Sequence, residues 1–159
     1  MNVAFEPIAF LHLAQQLVGP GGAGLAPSAA ASEARVRTTL GRTYYALYLL
    51  VRREISRRHG ILYRHLQHGT VYTRLQSPLA SDEVRNLGRN LEWMYTLRQK
   101  ADYELDPDGS WREHLTDEGR ALALAQLAME LAVLLPRLDF APVVQLLKPG
   151  GPSTQPPAR

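Results

Sequence analysis

The sequence predicts an all-α protein, an up-and-down bundle of four to five helices. Three observations carry that reading. No short β-branched run alternates in period two, and no Asn-Gly or Asp-Gly pair joins two such runs. Apolar residues recur at helical spacing through the long segments. Gly- and Pro-containing stretches separate those segments.

The first helix is expected from about Val3 to Val18, with Phe5, Ile8, Leu11 or His12, and Gln15 along one side. Gly19-Pro20-Gly21-Gly22-Ala23-Gly24 ends it. This stretch lacks the Lys-Ser/Thr of a phosphate-cradling loop and reads as a flexible connector. A second helix follows Pro27, capped by Ser28 or Ser32, and runs to about Arg58 on the stripe Val36, Leu40, Leu47 and Val51. His59-Gly60 breaks it. A short third helix spans about Gln67 to Leu75, opened by His68, and Ser77-Pro78 ends it. Ser81 or Asp82 caps a fourth, about Asp82 to Ala101. Asp106-Pro107-Asp108-Gly109 is a turn-rich loop. Thr116, before Asp117 and Glu118, reads as the cap of a fifth helix ending near Leu135. From Ala121 to Leu135 only Gln126 and Glu130 are polar, so this helix should be central or lie at a subunit interface. The domain is placed at 1–140, with 141–159 a disordered tail.

With 159 residues, 45% hydrophobic and 21% charged, the chain is sized for one globular domain. It has no cysteine, which excludes disulfides, thiolate metal sites and cysteine nucleophiles. The N-terminus lacks the pattern of a signal peptide. The longest apolar stretch is read as shorter than the ~20 residues that span a bilayer. The expectation is a cytoplasmic protein without membrane contact or cofactor.

The net charge of +3 hides an uneven distribution. Arg35 to Arg64 holds eight arginines and one acid, Glu54, whereas Ala101 to Arg120 holds seven acids and two arginines. The basic stretch would attract phosphate; the alternative is that the two stretches neutralise each other. At ~100° per residue, Arg35, Arg42, Arg53 and Arg57 fall within about 60° of one another on the second helix. They form either a solvated flank or the wall of an anion-facing groove.

The fourth helix carries the most pointed signal. Its apolar line Val84, Leu87, Leu91, Tyr95 continues into Arg98 and Asp102. Charges on a buried face are costly unless paired, and these two are one helical turn apart. They read as a structural clasp or as an arginine aimed at phosphate. Tyr44 and Tyr45 lie beside the arginine line. His65 and His68 lack the neighbours of a metal site, so no metal is expected. Trp93, opposite the Val84 stripe, points to self-association.

Arg42-Thr43-Tyr44-Tyr45-Ala46, then His68 opening a short helix, then Arg98-Gln99-Lys100-Ala101-Asp102-Tyr103, resembles the bacterial and archaeal HEPN domains over roughly Ser28 to Leu135. The resemblance implies an HEPN-like helical bundle, a homodimer, and an RNA- or nucleotide-binding role, with a minimal nucleotidyltransferase partner in a toxin–antitoxin or defence pair. On that reading Arg98 contacts phosphate, Asp102 orients it, and Arg42, Tyr44 and Tyr103 line the same cleft. Arg35, Arg53, Arg57 and His68 extend the RNA or nucleotide surface. RNase members of the family place a histidine shortly after the arginine. Here Tyr103 stands in that place, and tyrosine, titrating near pH ~10, is a poor general base. A metal-independent endoribonuclease with Arg98, Asp102 and Tyr103 as catalytic residues, or with His68 as substitute, is therefore the alternative. A purely structural docking bundle is the third reading.

Overall fold

The computed structural model describes residues 6–19, 28–104 and 109–148. The start of the first helix, most of the Gly-rich connector, the Asp106 to Asp108 turn and the tail from residue 149 lie outside the described residues. Among those described there are seven α-helices and no strand, so the protein is an all-α bundle. They are α1 (Pro7–Val18), α2 (Ala29–His59), α3 (His68–Leu75), α4 (Asp82–Tyr103), α5 (Gly109–Thr116), α6 (Glu118–Leu134) and α7 (Ala141–Leu147).

The central element is α2, whose 31 residues make a rod of roughly 45 Å. Ser28 caps its start, accepting a hydrogen bond from the Ala31 amide, and Gly60 ends it in the left-handed region at φ 65°. Arg57, Arg58 and His59 fill its last turn, where the helix dipole favours positive charge. Val36, Leu40, Tyr44, Leu47, Val51 and Ile55 are buried along it, and α1, α4, α5 and α6 pack around it. One apolar cluster joins α2 to α3, α4, α6 and α7. A smaller one, Val36, Leu40, Leu97, Ala101, Leu115 and Ala121 with Val18, closes the other end.

Four sequence expectations change. Residues 141–147, assigned above to the tail, form α7, with Val143, Val144, Leu146 and Leu147 buried and the helix packed on α3. Pro142 sits in the first turn, where a missing N–H is harmless, so a residue that reads as a breaker starts a helix. The cap before α6 is Asp117, which accepts from the Arg120 amide at 3.0 Å, while Thr116 ends the short α5. Next, α6 is not the central helix. It buries the small-residue face Ala121, Ala125, Ala128 and Leu131, and leaves Val133 (63%) and Leu134 exposed. Finally, Glu118–Arg137 is long and apolar enough to cross a membrane by length and composition.

The α3–α4 contact depends on Gly88. A Cβ there would stand 2.8 Å from Gln76 Cγ, 3.0 Å from Leu75 Cβ and 3.0 Å from the Tyr72 carbonyl oxygen. Alanine ordinarily stabilises a helix over glycine by about 1 kcal/mol. Here the clash outweighs that gain, because part of it is backbone. Gly88→Ala is expected to lower stability by about 1–3 kcal/mol, read as a lower urea midpoint with an unchanged slope.

Candidate functional site

Tyr44, Tyr48 and Arg52 follow one another at four-residue spacing along α2, and this line faces the start of α3 and the second half of α4. The Tyr44 ring is wholly buried. Its hydroxyl meets His68 Nδ1, and no other hydrogen-bond partner for it exists among the described residues. The Tyr48 hydroxyl donates to the Leu66 carbonyl at 2.6 Å. His68 stacks on Tyr48 with ring centroids 4.1 Å apart, and on Tyr95 of α4 at 5.7 Å. Tyr45 meets His68 edge-on at 6.0 Å. Tyr72 of α3 adds a fifth tyrosine beside Tyr95.

Arg98 enters this aromatic cluster from α4. Its guanidinium lies 5.1 Å from the Tyr45 ring centroid and 5.4 Å from that of Tyr103. Its Nε is 2.7 Å from Asp102 Oδ2. The pair is ionic rather than a fork, because the enclosed Nε–H is not aligned for a hydrogen bond. The buried stripe of α4 runs through Leu91, Met94, Leu97 and Ala101. Tyr95, Arg98 and Asp102 therefore lie on its margin, with the Arg98 side chain 16% exposed and that of Asp102 36%. A charge at a margin keeps some hydration, which is why the pair is tolerable.

Burial holds the His68 imidazolium below the usual histidine range, and the charges of Arg98 and Arg52 push the same way. Burial likewise raises the Tyr44 hydroxyl, with the neighbouring tyrosines adding to it. At neutral pH these shifts favour a protonated Tyr44 hydroxyl and an uncharged His68 ring. In the tautomer in which Tyr44 donates to Nδ1, the ring proton is on Nε2. The site presents an N–H and an adjacent guanidinium, an arrangement suited to phosphate oxygens.

Of the residues singled out in the sequence, the structure brings together Tyr44, His68, Arg98, Asp102 and Tyr103. Asp102 also borders a neighbouring cleft of about 460 Å³ that contains Arg42, Arg37 and Tyr45, with Arg42 4.9 Å from the Phe10 ring. The rest of the arginine line is occupied elsewhere. Arg35 pairs with Glu118 of α6, Arg53 with Glu6 at 2.9 Å, and Arg57 with Glu54 at 2.9 Å. Trp93 does not stand alone: it packs 5.7 Å from Trp111 and 5.4 Å from His114 of α5. Arg52, Tyr48 and Tyr63 were not singled out. The signal that finds Tyr48 and Arg52 is their four-residue spacing from Tyr44. No group of three or more His, Cys, Asp or Glu positioned to hold a metal occurs among the described residues.

No protein-family model, curated protein or solved structure matches the chain.

The depressed His68 basicity has a definite sign in stability. Between the folded value and the ordinary histidine value of 6.5, the unfolded chain binds more protons than the folded one. Stability is then fully present above pH 6.5 and is lost as pH falls through the folded value. His68 proton resonances should titrate below that reference, and Arg98→Ala should move the midpoint upward. A midpoint at or above the reference contradicts the assignment.

Proposed function

We propose that this protein is a dimeric RNA- or nucleotide-binding module that holds phosphate at Arg98 and His68, in the manner of HEPN-like bundles. The observation that carries this reading is the joint placement of the Arg98 guanidinium and the His68 ring beside the exposed rings of Tyr45 and Tyr103. Those are the donors and stacking faces that a nucleotide requires. Asp102 positions Arg98, and the adjoining cleft at Arg42 supplies a second cation.

The enzymatic reading is weaker on this geometry. A general base needs an unprotonated nitrogen within reach of the substrate. Tyr44 occupies Nδ1, and where it donates there, Nε2 carries the ring proton and is no base. Tyr103 is 71% exposed, so it is not enclosed with Arg98.

The direct test is filter binding and gel analysis of labelled single-stranded RNA, with EDTA present. Wild type is expected to shift the RNA without cutting it. Arg98→Ala should weaken binding about ten- to hundredfold, the range of one charge-assisted hydrogen bond. Unchanged affinity in Arg98→Ala contradicts the reading. EDTA-resistant cleavage lost in the same variant establishes the endoribonuclease instead.

The homodimer in this proposal uses the outward flank of α6, where Val133 and Leu134 are exposed on a helix otherwise poor in charge. Val133→Asp is expected to halve the mass seen by light scattering without lowering the thermal midpoint. A wild-type monomer, or a dimer indifferent to the substitution, contradicts this part.

A further inference from the structure

Two arginines and five aromatic rings follow one another along one continuous path through the site and beyond it. Tyr63, in the 3₁₀ turn Tyr63–His65, lies 5.0 Å from the Arg52 guanidinium. Arg52 lies 5.1 Å from the Tyr48 ring. Tyr48 stacks under His68 at 4.1 Å, and His68 meets Tyr45 at 6.0 Å. Tyr45 lies 5.1 Å from Arg98, and Arg98 is 5.4 Å from Tyr103. Tyr48 is buried and serves as floor. Tyr63 (50% exposed), Tyr45 (37%) and Tyr103 offer accessible faces at the two ends and the middle.

We propose that this ladder is a track for single-stranded RNA of about four nucleotides, the low end of known single-strand site sizes, laid from Tyr63 past His68 to Tyr103. The inference rests on the RNA- or nucleotide-binding reading above and names its ligand as an extended single strand. Three features select that ligand. First, two cations, each set between two rings, match a strand whose bases stack while its phosphates are neutralised, and every base has a face to offer. A duplex keeps its bases stacked internally and has no use for such rings. A mononucleotide needs one ring and one cation, and leaves the other end idle.

Second, the charge at the far end is available. Arg52 donates to the Tyr63 carbonyl at 2.8 Å, and no carboxylate of the described residues pairs with it. By contrast, Arg35, Arg37, Arg53, Arg57 and Arg58 all face glutamates. Third, Arg52 lies over Tyr48 and Arg98 over Tyr45, and both of those rings meet His68, so the two cations join through one ring rather than belonging to separate patches.

The test is fluorescence anisotropy at fixed salt with di-, tetra- and octauridylate, an RNA duplex of eight base pairs, and AMP. The proteins are wild type, Arg98→Ala, Arg52→Ala, Tyr63→Ala and Tyr63→Phe, each checked for native helicity by circular dichroism. Tetra- and octauridylate should bind at least about tenfold more tightly than the dinucleotide and the duplex. Tyr63→Ala and Arg52→Ala should each cost about tenfold on the octamer, within the range of one stacked base. Tyr63→Phe should keep wild-type affinity, since the ring and not the hydroxyl is used. Binding that needs Arg98 but ignores Arg52 and Tyr63, or that is as strong for AMP or the duplex, overturns the track and leaves the phosphate site standing. No binding of any probe overturns both.

Discussion

Tyr44 is fully enclosed, and its hydroxyl must find a partner inside the bundle. An unpaired buried hydroxyl costs about 1–3 kcal/mol, so the position of His68 is dictated by more than ring packing. The hydrogen bond to Nδ1 ties α3 to α2. Stacking of the same imidazole on Tyr48 and Tyr95 ties both to α4. Gly88 then lets α3 and α4 close to backbone contact. The position of the His68 ring beside Tyr45 follows from this one contact and the stacking that accompanies it.

The excess of arginine is resolved by pairing, not by a uniform basic surface. Glu118 takes Arg35, Glu6 takes Arg53, and Glu54 takes Arg57 and Arg58. Arg37 satisfies the carbonyls of Ala101 and Glu104 at the end of α4, both at 2.8 Å. That contact holds the segment carrying Asp102 and Tyr103 against α2. The charges that act on His68 are those of Arg98 and Arg52, and each of these lies against two tyrosine rings. Exposed ion pairs contribute little to stability, but here they sort the arginines, removing most of the helix's positive line from competition with the site.

Much of this was legible in the sequence, for local reasons. Ser28, Ser81 and Gly60 mark helix ends through their own side chains or their lack of one, and the structure uses each as a cap. Arg98 and Asp102 stood out as charges continuing an apolar line, and they do pair. What was hidden depends on packing between elements. The sequence placed Arg35, Arg42, Arg53 and Arg57 on one line, but only the fold brings Glu6 and Glu118 to two of them. The apolar length of α6 suggested a central helix or one at a subunit interface, and the first of these is not what the fold uses. Its alanine face allows close approach to α2 on one side only, and the other side stays exposed. The α7 helix was missed because its seven residues were grouped with the Pro/Gly-rich end of the chain that follows them. Arg52 and Tyr63 were missed because their partnership spans a helix break at Gly60.

The central claim is that Arg98 and His68 form one phosphate-facing site. It is tested most directly by nuclear magnetic resonance, following the Arg98 Nε–H and His68 ring signals while single-stranded RNA is added to the full chain. The account predicts that both signals shift together and saturate at the same RNA concentration, while the Trp93 and Trp111 indole signals stay in place. Shifts confined to the tryptophans, or Arg98 and His68 signals that do not move while RNA binds elsewhere, would contradict it.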